Sequence, residues 1–413
     1  MTRKISRRTM MAGTAAGVAA ATFKFPAPAI AQNAPFKIGL LTVKTGPLAQ
    51  GGIQMEQGIA TFLKEKNGTL SGRKVQLIVA DTGGNPAGAK TKAQEVIERD
   101  QVDVILGPLA AFELLAITDF VRQHETPLVS LAAAEDVTQR HVNPFIVRPS
   151  ASAAQCMHPL GDYAATDLKY KTAITISEDF AFGYEQMAGF QRVFQDEGGK
   201  VTAKLWPPLV TPDYTPYIAQ IHDVDCCVNG FAGSNPVKFM RAYQAMGVKA
   251  KIPLLAGWTA MDDALLHSLG DEAVGVKSAH WYSADYNSES NKRFVADMQK
   301  TYNVLPGGYA AGMYLAGMCV EEVIKTNPDA KKKALADALH KVVLTDTPRG
   351  PFHFDEYGNV VGSVFIRNCE RKNGELVNTV IKTYPDVSQF WKYDPKKFLA
   401  QPVYSRDYPP LKQ

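Results

Sequence analysis

The chain has 413 residues, 46% of them hydrophobic and 21% charged, enough for two domains with real cores and too balanced for a disordered or fibrous protein. Five cations of its formal +4 balance, Arg3, Lys4, Arg7, Arg8 and Lys24, fall in residues 1–31, which hold no acid, so residues 32–413 carry −1. A near-neutral body argues against a nucleic-acid binder or a basic membrane-surface protein.

The chain opens on an export signal. Ser6-Arg7-Arg8 precedes a weakly apolar run, Met10 to Phe23, and then Pro26-Ala27-Pro28-Ala29-Ile30-Ala31, with an A-x-A site at Ala29-Ile30-Ala31. The paired arginines resemble the twin-arginine type, which Thr9, Met10 and Met11 fit only loosely. The run of about 14 residues falls short of the roughly 20 needed to span a bilayer. An exported protein with cleavage after Ala31 is expected, and no later stretch reaches membrane-spanning length.

From Phe36 strand and helix patterns alternate. Lys37–Thr42 reads as a buried strand, and Met55, Ile59, Phe62 and Leu63 as a helix stopping at Asn67-Gly68. Val75–Ala80 is a strand, Ala89, Ala93, Val96 and Ile97 a helical stripe, and Val102–Leu106 a strand turned by Gly107-Pro108. A helix through Leu114, Ile117 and Val121 leads to the strand Leu128–Leu131. The rhythm restarts with a helix over 155–168, a strand at Thr172–Ser177, a helix marked by Met187, Phe190 and Phe194, and a strand at Val201–Trp206. A short helix near Tyr217, strands Val224–Gly230, Ile252–Ala256 and Val274–His280, and a helix over 236–246 follow. Two more helices carry Phe294 and Met298, then Met313, Ala316, Val320, Val323 and Ile324. The end changes character: Pro351–Asp355, a turn at Tyr357-Gly358-Asn359 and Val360–Arg367 predict a hairpin, with a last strand near Glu375–Thr383.

Such alternation predicts an α/β protein with parallel sheets covered on both faces. Two similar units suggest two lobes with a ligand cleft at the carboxyl ends of their strands. The five cysteines, Cys156, Cys226, Cys227, Cys319 and Cys369, are no disulfide framework. Cys226 and Cys227 are adjacent in a strand and point to opposite faces, so buried thiols are expected.

Three turns stand at strand ends: Thr45–Gly52, Gly107–Phe112 and Ala132–Asp136. Their small residues leave the backbone open, and N–H groups at a helix start favour an anion such as a carboxylate. They match neither the dinucleotide nor the P-loop fingerprint, so no cofactor is expected.

Ile38-Gly39-Leu40, Thr45-Gly46-Pro47-Leu48-Ala49 and Val104-Ile105-Leu106-Gly107-Pro108 resemble the type I periplasmic solute-binding proteins, in particular the leucine/isoleucine/valine-binding group that serves ATP-driven importers. Glu178–Tyr184 matches that family's second-lobe loop and Gly350–Asn359 its late hairpin. The resemblance implies a two-lobed flytrap, each lobe a mostly parallel sheet flanked by helices, with three crossings near Arg148–Ser150, His280–Ser283 and Thr347–Gly350. The N-terminal lobe would be 32–149 plus 283–347 and the C-terminal lobe 150–282 plus 348–413. It further implies a periplasmic monomer that hands a small-molecule carboxylate to an inner-membrane permease and ATPase complex, with no nucleic acid and no metal.

Departures from the family pattern narrow the ligand. Amino-acid binders hold the ligand carboxylate with Ser or Thr hydroxyls where this chain has Ala110-Ala111 and Ala132-Ala133-Ala134. The acid that pairs with the ligand ammonium is replaced by Trp258, and an unpaired buried ammonium is costly. The expected site is therefore an aromatic slot with small-residue turns at one end: Gln50, Ala110, Ala111, Phe112, Ala133, Ala134, Phe182, Tyr184, Phe231, Ala232, Trp258, Trp281, Tyr282 and Tyr309. A benzoate- or phenylpropanoid-like acid suits it. The alternatives are a branched-chain amino acid, an amide, or a ligand sensor of the same fold feeding a receptor. Catalysis finds no support, because the eight histidines are scattered and no nucleophile motif is present. His280, beside the second crossing, is read as structural or as a donor to ligand, Asp262-Asp263 as an acid pair at a helix start, and Lys331-Lys332-Lys333 as a solvated helix face.

Overall fold

A computed structural model describes residues 34–412; the export signal read at residues 1–31 lies outside the described residues. The run β1 (Phe36–Thr42) is apolar and buried almost throughout, as the centre of a doubly covered sheet requires. It pairs in parallel with β3 (Arg73–Asp81) and β4 (Val104–Leu106). Beyond β4 lie β5 (Leu128–Val129) and β6 (Ile146–Val147), and β2 (Thr69–Leu70) adds an antiparallel edge. The order is β2-β3-β1-β4-β5-β6. Helices α1 (Ala49–Glu65), α2 (Pro86–Gln94) and α3 (Ala111–Gln123) make the crossovers. In α1 the buried Met55, Ile59 and Phe62 recur one turn apart. The chain leaves it through Asn67 and Gly68, both at positive φ, the left-handed stop that Asn and Gly favour.

After α4 (Met157–Thr166) the chain enters a nine-stranded sheet. Its parallel half is β7 (Thr172–Ile176), β8 (Lys200–Leu205), β9 (Cys226–Asn229), β10 (Leu254–Ala256) and β11 (Lys277–His280). Helices α5 (Ala181–Asp196), α6 (Thr215–Ile218) and α7 (Asn235–Ala245) connect those strands. Its antiparallel half is β12 (Val343–Leu344), β13 (Phe352–Phe354), β14 (Val360–Lys372) and β15 (Glu375–Val387). Between the halves in sequence come α8 (Glu289–Tyr302) and α9 (Gly308–Thr326), which pack on α1, and α10 (Lys332–Leu339), which packs on α9.

The chain thus passes between the sheets three times, after β6, after β11 and before β12. The third passage lies upstream of Thr347–Gly350, where the sequence put it, because Val343-Leu344 already pairs with β13; two residues are too short a run to read as a strand. Pro35–Gln413 is one compact unit. All five cysteines are buried and free, and Cys226 and Cys227 enter different apolar clusters. The segment after β15, which the sequence left unassigned, docks by Phe390, Phe398 of α11 (Pro395–Leu399) and Tyr404 onto Ala154 and Ala188. The Arg192 guanidinium lies 4.0 Å from the Tyr393 ring centre and 4.6 Å from that of Phe398, a cation–π clamp on that tail.

Candidate functional site

The turns that follow β1, β4 and β5 meet the turns that follow β7, β9 and β10, so ends of both sheets face one space, as open parallel sheets prescribe. They line a pocket whose atom-free space, partly open to solvent, is about 300 Å³. Its walls are Leu48, Leu109, Ala110, Ala111, Leu131 and Ala133 from the first sheet, Phe180, Phe182, Ala232 and Trp258 from the second, and Tyr309 of α9. The two sets of turns touch directly: Ser234 N–H donates to the Pro47 carbonyl at 3.2 Å. A Cβ at Gly233, which has φ 61°, would stand 2.0 Å from that same oxygen, so only glycine allows this approach.

The small-residue turns are less open than their sequence suggests. Ala110 N–H is taken by Glu113 Oε2 at 2.9 Å in a capping arrangement, and Glu113 also accepts the Thr82 hydroxyl. Burial holds the Glu113 carboxyl above its usual range. The N–H of Ala111, at the helix start, keeps no intrahelical acceptor. In the third turn the buried Arg148 binds the carbonyls of Ala132 (Nε, 3.0 Å) and Ala134, together with Thr138 Oγ1 (3.1 Å) and Asn359 Oδ1 (2.9 Å). In the trans peptide that joins Ala132 to Ala133, the N–H points opposite the carbonyl. Arg148 therefore turns the Ala133 N–H away from itself, and Ala133 lines the cavity.

The other end of the cavity is aromatic. Phe182 meets Trp258 edge-on, centroids 5.8 Å apart at 85°. Phe180 stacks on Phe182 at 6.1 Å, and Trp258 tilts on Tyr309 at 5.7 Å. Trp258 is 1% exposed and its indole N–H has no partner.

Of the residues named from sequence, Ala110, Ala111, Ala133, Phe182, Ala232, Trp258 and Tyr309 line this cavity. Gln50 lines a second cavity that shares the Tyr309 wall. The others lie elsewhere. Phe112 packs edge-on against Phe180 behind the wall, and Ala134 turns its carbonyl to Arg148. Tyr184 donates to Asp179 at 2.5 Å and packs on Trp206. Phe231 sits in the core against Tyr214 and Phe239. Trp281 lies 5.0 Å from the Arg349 guanidinium, and Tyr282 donates to Asn291 at 3.0 Å in the interior. Leu48, Leu109, Leu131 and Phe180 were missed, although Leu48, Leu109 and Phe180 stand inside the motifs read from the sequence. A leucine in a turn reads as core until both lobes are placed.

His280 is structural. Its Nδ1 accepts the Tyr282 N–H at 2.8 Å, which leaves the proton on Nε2, 3.4 Å from Asp262, and burial holds its pKa well below the usual value. Asp262 does cap a helical turn, accepting Ala264 N–H at 3.0 Å, but it also accepts Gly308 N–H at 2.7 Å at the start of α9. Asp263 does stand in the first turn of the helix that Asp262 caps, and it is also ion-paired to the buried Arg367 at 2.8 Å and accepts the Asn378 amide at 2.9 Å.

Buried carboxyls give a pH signature. Glu178, after β7, accepts Ala232 N–H at 2.8 Å and the Asn235 amide at 3.1 Å, while its second oxygen has no partner. Burial pushes its pKa up from 4.5 to about 7. Folding therefore binds this proton more tightly than the unfolded chain does, and the resulting stability, complete below about pH 4.5, is lost as pH rises through 7. Glu178→Gln, which keeps the bonded oxygen and removes the charge, should flatten the fall of Tm between those values in calorimetric scans. An unchanged slope would move its source to Glu135 and Glu185, a coupled pair whose burial also raises both.

Two α/β sheets joined by three passages, with a cavity between their strand ends, define the flytrap class of solute-binding proteins. The chain belongs to the periplasmic binding protein family, whose family model matches residues 35–375. It is 27% identical over 359 residues to Leu/Ile/Val-binding protein homolog 6 of Brucella suis biovar 1 (strain 1330), covering 84% of this chain and 91% of that one. Among solved structures it resembles a solute-binding protein of an ABC transporter from Rhodopseudomonas palustris BisB5, in complex with 3,4-dihydroxybenzoic acid. That pair shares 32% identity and a TM-score of 0.82 over 86% of this chain and 98% of the other. A second R. palustris solute-binding protein, in complex with 4-hydroxybenzoate, shares 26% identity and a TM-score of 0.80 over 86% and 98%. These relatives are solute-binding proteins, not enzymes. The fold is thus the type I periplasmic binding fold, in a family of exported periplasmic proteins, and among the described residues no helix is long and apolar enough to cross a membrane.

Proposed function

We propose that this protein is the exported solute-binding component of an ABC importer and that it captures a small aromatic carboxylate, benzoate- or phenylpropanoid-like, between its two lobes. The observation that carries the reading is the cavity itself, with rings of Phe180, Phe182, Trp258 and Tyr309 on one side and the alanine turns on the other. The carboxylate would meet the Ala111 and Ala133 N–H groups, and a flat ring would pack against the wall that Phe182 and Trp258 form together. An amino-acid ligand would need an acid for its ammonium. Both oxygens of Asp262, which lines the neighbouring cavity, are already engaged, and burial raises its pKa. The R. palustris relatives bound to hydroxybenzoates support the same class. Closure would turn on the passages near Arg148–Ser150 and His280–Ser283, signal cleavage would follow Ala31, and the loaded form would be read by a permease and ATPase complex.

A thermal-shift panel tests the ligand class. At 100 times its Kd a ligand adds about 2.7 kcal/mol of stability. Benzoate and 4-hydroxycinnamate should raise Tm, whereas leucine, valine and urea should leave it in place. Stabilisation by leucine alone would overturn the reading.

A further inference from the structure

The cavity beside the aromatic slot, about 260 Å³ of atom-free space partly open to solvent, is lined by Gln50, Gly51, Gln54, Gly233, Thr259, Asp262, Ala264, Leu265 and Tyr309. Tyr309 is the wall it shares with the slot. Where the slot is apolar, this chamber carries amide, hydroxyl and carboxyl groups. Gln54 is the group without an assigned job. It is 2% exposed, its Oε1 accepts Gly307 N–H at 2.9 Å, and its Nε2 is buried with no partner. The Gly307 bond fixes which end of the amide is free, because a flipped amide would set N–H against N–H. Gly307 is itself held in place, since a Cβ there would lie 1.6 Å from Asp262 Oδ1. Thr259 donates its hydroxyl proton to the Phe231 carbonyl at 2.8 Å, so its oxygen is left as an acceptor. The chamber therefore offers the N–H donors of the Gln54 amide nitrogen and the Thr259 oxygen as an acceptor, groups that a hydroxyl complements.

We infer that this second cavity is the distal subsite of the ligand site and takes a hydroxyl at the far end of the aromatic acid, with the Gln54 amide as its donor and Thr259 Oγ1 as its acceptor. The inference rests on the aromatic-carboxylate reading and refines it: the slot holds the ring, and the chamber beyond Tyr309 selects hydroxylated over unsubstituted acids. A buried amide left unpaired by an unsubstituted ring is what discriminates, and one such hydrogen bond corresponds to about tenfold in affinity.

Calorimetry with two matched pairs reads this directly: benzoate against 4-hydroxybenzoate, and cinnamate against 4-hydroxycinnamate. In the wild type the hydroxylated member of at least one pair should bind roughly tenfold tighter than its parent. Gln54→Met, which removes the donor without introducing a carboxyl, should abolish that gain and leave the parent acid within about twofold; Gln54→Leu should do the same. Equal affinities within both pairs, or a gain that survives both substitutions, would overturn the subsite while leaving the aromatic-acid reading intact. A fall of parent and hydroxylated acid alike would make Gln54 a positioning residue for α9 and overturn it too. Failure of all four acids to bind would overturn both readings at once.

Discussion

Trp258→Ala is expected to weaken an aromatic acid by about a hundredfold, roughly 2.7 kcal/mol. The side chain is one wall of the slot, edge-on to Phe182 at 5.8 Å and tilted against Tyr309 at 5.7 Å. A ring seated there would gain roughly 0.5–1.5 kcal/mol from each aromatic neighbour beyond burial, and the orphan indole N–H adds a donor. The same substitution removes a buried ring and costs roughly 3–5 kcal/mol of fold stability, so affinity is to be measured on protein shown to be folded. Trp258→Phe separates the contributions. It keeps a ring and loses the N–H, and a loss of about tenfold would assign the donor to the ligand. Unchanged calorimetric affinity in Trp258→Ala would return Trp258 to the core.

The sequence made the order of elements legible because each rests on local periodicity. The stripe Met55, Ile59, Phe62 fits the helical period, and the seven-residue apolar run of β1 is too short for a buried helix. The cavity walls were legible where a residue stands on a strand-end turn, as Ala110, Phe182 and Trp258 do. What stayed hidden depends on two segments far apart in sequence. Phe231 follows β9 as Trp258 follows β10, yet it turns into the core against Tyr214 and Phe239. Gln54 lies one helical turn after Gln50, but its orphan amide is defined only by the Gly307 N–H. Asp263 is the helix-start acid it looked like, but its partner Arg367, on β14, could not be read from its own segment. The occupied Ala110 N–H is different, a local contact: the glutamate three residues on closes back over its own turn.

Arg148→Met should lower Tm by roughly 10 °C, since removing one partner from a buried charged network costs about 3–5 kcal/mol. Burial draws the guanidinium pKa down to about 10, with Glu185, Glu135 and Asp355 opposing that fall, so it stays charged at neutral pH. Its loss would strip the Arg148 bonds from the Ala134 carbonyl and Asn359 Oδ1 and leave the Ala132 carbonyl with the Ser130 hydroxyl at 3.3 Å. It would also leave Glu135, which accepts Ser152 Oγ at 3.0 Å and Ala154 N–H at 3.1 Å, beside Glu185 with no nearby cation of that strength. Arg148→Lys should recover only part of the loss, because a single ammonium cannot span acceptors arranged for a planar fork. The functional consequence follows from the peptide between Ala132 and Ala133. Once its carbonyl keeps only the Ser130 hydroxyl, the Ala133 N–H is held less firmly toward the cavity side, and the Kd for benzoate should rise about tenfold. Calorimetry on the folded variant below its lowered Tm measures both effects. A variant that loses stability yet keeps its benzoate affinity would show that the ligand carboxylate is held without the third turn, on the helix start at Ala111.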